Sequence, residues 1–181
     1  MKCAIVLATA ALSVTLMPAP AHADVVRLMR FPVTGEVEFT DTFGACRGVN
    51  CSRRHMGNDI FAPKLRPLVA AQTGRVTWLR TDASGTAGNG VGITDAEGWR
   101  YLYLHINNDT PGTDDGANPP EWRFAPGIRL GATVEAGDVV GYLGDSGNAE
   151  TTPSHLHFEL RTPEGETINP YPSLRAAQGA A

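Results

Sequence analysis

Short apolar or alternating runs recur along the chain between glycine, aspartate and proline signals, as in VEFTDTF, PLVAAQTGRVTWLRT, GVGITDAEGWRYLYLHI and ATVEAGDVVGYLG. No stretch of a dozen residues carries a 3.6-residue apolar period. Alternation marks half-buried strands, because successive strand side chains point to opposite faces. The pattern therefore predicts a mainly β fold: one compact antiparallel domain without internal repeats. One segment breaks the rhythm. Residues 107–126, NNDTPGTDDGANPPEWRFAP, are polar, turn-rich and too long for a hairpin loop, and read as a loop insertion. Trp122 and Phe124 are its only large apolar residues and are expected to fasten it to the body. The end of the chain, RAAQGAA, reads as frayed, with 176–181 a flexible tail.

The same alternation places chemistry. In SHLHFELR, Leu156, Phe158 and Leu160 face one side, and His155, His157, Glu159 and Arg161 the other. Two histidines at that spacing have Cα atoms roughly 6.5 Å apart, so both imidazoles reach one small site. In RYLYLHI the expectation is that Leu102, Leu104 and Ile106 face the core while Tyr101, Tyr103 and His105 face away. In HMGND, His55 and Asp59 would stand about 13 Å apart on a straight strand, too far to share an ion. Gly57, Asn58 and the following Pro63 oppose a helix, leaving a bent or bulged strand at Gly57 as the solution.

The N-terminus, MKCAIVLATAALSVTLMPAPAHA, has a lysine, an apolar run from Ala4 to Met17 and an Ala21-His22-Ala23 cleavage site. It reads as a signal peptide over 1–23, leaving no membrane span after cleavage and a secreted or periplasmic protein. The domain then covers 24–175. A formal net charge of −4, with Lys64 the one lysine after the leader, argues against nucleic acid. A monomer is expected. Export makes a Cys46–Cys51 disulfide the default, with zinc ligation beside His55 the competing reading.

Four of the five histidines lie beyond the leader, each in a context that could feed one site. Each alone reads as a surface or hydrogen-bonded residue, but their coincidence favours a metal centre. Two histidines and an aspartate leave the open position of a catalytic zinc site, and the remaining histidines suit acid–base work. GDSGN offers a rival in Ser146 as a serine-protease nucleophile. The chain lacks that class's upstream histidine context, and GDSGN fits a turn before the last strand.

RRHMGNDIFAP, PLVAAQTGRV, YLHI, AGDVVGYLGDSGN, SHLHFELR and INPYP, in this order, resemble the lysostaphin-type (LytM-like) zinc metallopeptidases. The resemblance spans most of residues 35–172. It implies the family's duplicated hybrid motif β fold, one Zn2+ and a peptidoglycan peptide substrate. Residue by residue, it implies His55, Asp59 and His157 as metal ligands. His105 and His155 match the pair handling water and the transition state. With all five present, hydrolysis is expected. The alternative is a catalytically silent member that binds peptidoglycan or activates a cell-wall amidase. The 107–126 insertion follows His105 directly, and its effect on the substrate groove is left open.

Overall fold

The computed structural model describes residues 25–179. The signal-peptide assignment to 1–23 therefore lies outside the described residues. Among the described residues twelve strands follow in order: β1 (Glu38–Phe39), β2 (Cys46–Arg47), β3 (Arg53–Arg54), β4 (Asn58–Phe61), β5 (Pro67–Val69) and β6 (Gly74–Arg80). Then come β7 (Asn89–Thr94), β8 (Arg100–Ile106), β9 (Thr133–Val134), β10 (Val139–Tyr142), β11 (His155–Arg161) and β12 (Thr167–Ile168), with a closing helix α1 (Tyr171–Gln178). The main sheet runs β1-β4-β11-β8-β7-β6-β9, with β12 added on β11; β5 pairs with β10 and β2 with β3. Every strand pairing is antiparallel, as the alternation predicts.

One face of the main sheet builds the core. Leu156, Phe158 and Leu160 of β11, Ile60 of β4 and Val91 and Ile93 of β7 join Leu68, Val140 and Leu174 in a buried cluster. The opposite face carries the cleft described below.

In β8 the expected faces are exchanged. Tyr101 and Tyr103 are fully buried in the core, whereas Leu102 and Leu104 line the cleft. Burying a tyrosine is tolerable only if its hydroxyl finds partners. Here Tyr103 Oη donates to Val69 O and accepts from Ala71 N, and Tyr101 Oη donates to Asp95. His105 nonetheless reaches the cleft, through a bulge. Gly90 pairs with Leu104 and Asn89 with Ile106, leaving His105 as the extra residue, at φ 61°. The bulge puts His105 on the same side as Leu104 and returns Ile106 to the core.

The 107–126 segment is fastened by polar contacts as much as by its aromatics. Lys64 Nζ lies 2.6, 2.6 and 2.8 Å from carboxylates of Asp109, Asp114 and Asp145. Asn89 bonds Asn118, and Asn108 bonds Glu150. Phe124 is buried and Trp122 packs on Tyr142. None of these residues lines the histidine cleft. The tail expectation also changes: Arg175 to Gln178 continue α1, because Leu174 and Ala177 have core to bury against.

Candidate metal centre

The site is assembled by strand register. β4 and β11 run antiparallel with Asp59 opposite His157 and Phe61 opposite His155. Directly opposed residues share a face with Cβ atoms about 5 Å apart, so this pairing alone brings the carboxylate to the imidazole. His157 is also opposite Leu104 of β8, one residue short of the bulge that delivers His105.

His55 precedes β4, where the chain bends at Gly57, as expected. The bend is pressed against β11: a Cβ on Gly57 would lie 2.3 Å from Phe158 O and 2.8 Å from His157 Nε2. Only glycine fits such an approach. Upstream, Cys46 and Cys51 are joined by a disulfide, so neither is a free thiolate ligand. The segment leading into the loop they close is anchored to His55 by backbone bonds from His55 N to Ala45 O and from Gly44 N to His55 O.

Every histidine of the site gives one ring nitrogen to an acceptor and turns the other elsewhere. Nδ1 of His55 lies 2.8 Å from Thr42 O, Nδ1 of His105 2.9 Å from Ser146 O, and Nδ1 of His155 2.8 Å from Pro153 O. His157 reverses the pattern, with Nε2 3.2 Å from Glu159 Oε1. A carbonyl or carboxylate can only accept, so each of these nitrogens carries the hydrogen. In the neutral rings, the opposite nitrogens are lone-pair bearers.

Those lone pairs converge. His55 Nε2 lies 2.8 Å from His157 Nδ1 and 3.0 Å from Asp59 Oδ1, and His157 Nδ1 lies 3.1 Å from the same oxygen. Three acceptors so close repel one another unless a proton or cation stands between them. Ligands of a four-coordinate zinc ion are about 3.3 Å apart, near the separations here. The donor set of two imidazoles and one carboxylate therefore fits a divalent transition metal. A second acidic group, Asp109, Asp114 and Asp145, already surrounds the Lys64 ammonium.

The electrostatics agree. Burial works to raise the Asp59 pKa, but His157 and His55 hold it well below the usual carboxylate range. Burial likewise opposes ionisation of Glu159, yet His157 and Arg161 keep its pKa lowered. His157 is raised, the pull of Asp59 and Glu159 outweighing its burial. His105 is pushed down to about 3 by burial, then by its neighbours His155 and His157.

The centre opens onto a cleft of about 1200 Å³, lined on its floor by Leu102, Leu104 and Trp78. His155 and His105 stand beside the trio with ring centroids 5.1 Å apart, and His155 packs on Phe61. All five expected residues thus meet in one place. The other candidate does not: Ser146 is fully buried, its hydroxyl donating to Ile106 O and accepting from Asn89 N. Arg47 was not anticipated. Its guanidinium lies 3.0 Å from Asp59 Oδ2, the oxygen that faces away from the histidines.

No family model matches the chain. Among curated proteins it is 31% identical over 153 residues to the L-Ala--D-Glu endopeptidase of Bacillus subtilis, covering 80% of this chain. Among solved structures it matches the catalytic domain, in mutant form, of the prophage-encoded M23 protein EnpA of Enterococcus faecalis. There the identity is 28%, the TM-score 0.55, and the match covers 78% of this chain and 95% of that one. A Ruminococcus gnavus structure assigned as a glycyl-glycine endopeptidase, LytM, matches with 28% identity and a TM-score of 0.65, over 84% of this chain and 61% of that one. In sequence and fold the chain is similar to lysostaphin-type (LytM-like) peptidases. This LytM-like chain spans 42% of the length of the Bacillus relative. Its mainly β antiparallel architecture is that of these structural neighbours.

Proposed function

We propose that this LytM-like chain is a zinc-dependent endopeptidase of the cell envelope that hydrolyses peptide bonds in peptidoglycan. The observation that carries the reading is the convergence of His55 Nε2, His157 Nδ1 and Asp59 Oδ1. His55, Asp59 and His157 would hold one zinc ion. When bound, zinc supplies a Lewis acid that polarises a carbonyl oxygen and acidifies water.

The protein's own groups do the rest. Thr42 O and Glu159 fix the two ligand rings in the tautomers that point lone pairs inward. His105 and His155, each with Nδ1–H tied to a carbonyl, keep Nε2 as a proton acceptor. One takes the proton from the attacking water. That same ring then returns the proton to the leaving amine, while the other, entering the step as an imidazolium, stabilises the negative charge that grows on the carbonyl oxygen. The five residues sharing one cleft support this reading over a silent member of the family.

In this reading residues 1–23 are the export signal, the catalytic domain runs from 24 through the end of α1 at Gln178, and the mature protein is a monomer. The Cys46–Cys51 disulfide suits an oxidising compartment. No helix among the described residues is long and apolar enough to cross a membrane.

The test is digestion of purified peptidoglycan, followed by mass spectrometry of the fragments and assay of new amino groups. The expected result is peptide cleavage that a chelator abolishes and zinc restores. Cleavage of the glycan strand, or none at all by zinc-loaded protein, would overturn the proposal.

A further inference from the structure

Although the chain as a whole is acidic, its cleft is not. Arg47, Arg53, Arg54, Arg100 and Arg161 line it, against the carboxylates of Asp59 and Glu159. Two of these arginines are occupied. Arg47 pairs with Asp59, and Arg161 holds Glu159 through Nε and Nη2. The other three have no carboxylate partner among the described residues. Arg54 donates only to neutral groups, Gly44 O and Cys46 Sγ.

Their placement follows the strands. Arg53 and Arg54 form β3, immediately before His55. Arg100 lies opposite Arg161 in the β8–β11 pair, four residues along from the Leu104–His157 pair. That is about 13 Å along the floor of the cleft. Between the two ends the floor is largely apolar, from Leu102, Leu104 and Trp78. An extended peptide laid across the histidine cluster would thus meet a guanidinium at each end. Arginine is the side chain best shaped to receive a carboxylate, through paired N–H donors.

We propose that the cleft selects peptides bearing free carboxylates, with Arg53 and Arg54 receiving one beside the histidine cluster and Arg100 another about four residues away. The inference rests on the peptidase reading and narrows it: stem peptides carry such carboxylates, whereas glycine cross-bridges carry none. Arg53, Arg54 and Arg100 are then specificity-determining residues.

The test uses two synthetic stem peptides, identical except that side-chain and terminal carboxylates are carboxamides in the second. Binding is measured by calorimetry on zinc-loaded His155→Ala protein, and cleavage by mass spectrometry on the parent. The carboxylate peptide is expected to bind at least tenfold tighter, with the advantage shrinking between 50 and 500 mM salt, roughly as screening predicts. Arg100→Gln and the double variant Arg53→Gln, Arg54→Gln should each lose at least threefold of that discrimination without lowering the melting midpoint. Equal binding of the two peptides, or discrimination undiminished in the arginine variants, would overturn the inference while leaving the peptidase reading intact. If neither peptide is cut yet the discrimination persists, it is the peptidase reading that fails and the cleft assignment that stands.

Discussion

His157 Nε2 lies 3.2 Å from Glu159 Oε1, two positions along the same face of β11. Glu159 is itself held by Arg161, so the carboxylate is fixed before it meets the ring. The contact decides which nitrogen of His157 faces Asp59 and His55. On the proposed reading, Glu159 would position a metal ligand without touching the ion.

Replacing Glu159 with alanine frees the ring to rotate and removes the acceptor that fixes its tautomer. Zinc affinity should fall about 10- to 100-fold, the usual cost of losing such a partner. Glu159→Gln, which keeps an accepting oxygen, should lose less. Competition against a chromophoric chelator reads both. Parent affinity in the alanine variant would remove Glu159 from the account.

The two histidines of β11 should separate cleanly. His157→Ala is expected to lose both zinc and activity, because it deletes one of three converging donors. His155→Ala should keep zinc and lose turnover by roughly 100-fold or more, the scale of general acid–base assistance. Metal content by mass spectrometry, set beside hydrolysis of purified peptidoglycan, distinguishes them. Wall digestion at the parent's rate by His155→Ala would refute its role.

Gly57→Ala tests the bend. The added methyl would press on Phe158 O and on the His157 ring. Backbone carbonyls yield little, so the variant should lose about 1–3 kcal/mol of stability, with weakened zinc binding. Thermal unfolding with and without chelator measures both effects. A variant matching the parent in both would mean that the approach of β4 to β11 is looser than described.

His105 makes a prediction about pH. Its folded pKa is pushed down from 6.5 to about 3, chiefly by burial. Between those values the unfolded chain binds a proton that the folded protein does not, so stability rises with pH through the window. Asp59 and Glu159, both lowered, contribute a slope only at more acidic pH, and His157, raised, only above 6.5. From about pH 5 to 6.5 the metal-free protein should therefore gain up to about 1.4 kcal/mol per pH unit from His105. Denaturant unfolding in chelator, for the parent and His105→Gln, checks it. An unchanged slope in the variant would show that His105 is not the group responsible.

Much of this site could be read from residue order alone, for definite physical reasons. A period of two on β11 sorts Leu156, Phe158 and Leu160 from His155, His157 and Glu159 without knowledge of the partner strands. Gly57 and Pro63 similarly exclude a helix at HMGND. The period fails at β8, where leucine and tyrosine are both apolar enough for either face. Oη partners from Val69, Ala71 and Asp95 settle which is buried, and the bulge at His105 adds an offset that no alternation rule contains. Backbone acceptors such as Thr42 O, Ser146 O and Pro153 O are invisible in a sequence, since any residue type supplies a carbonyl. Arg47 reaches Asp59 across a separation of twelve residues that the β2–β3 pairing, closed by the disulfide, brings close. The 107–126 segment was legible as a loop, but its attachment depends on Lys64, far away in the chain.

The most direct test of the whole account is a crystal structure of the zinc-loaded protein with anomalous data collected at the zinc edge. A single strong peak is expected, bonded at about 2.0–2.2 Å to His55 Nε2, His157 Nδ1 and an Asp59 carboxylate oxygen. His105 and His155 should stand beside it, unbonded. A peak at another cluster, or a folded protein that takes up zinc without these three ligands, would contradict the account.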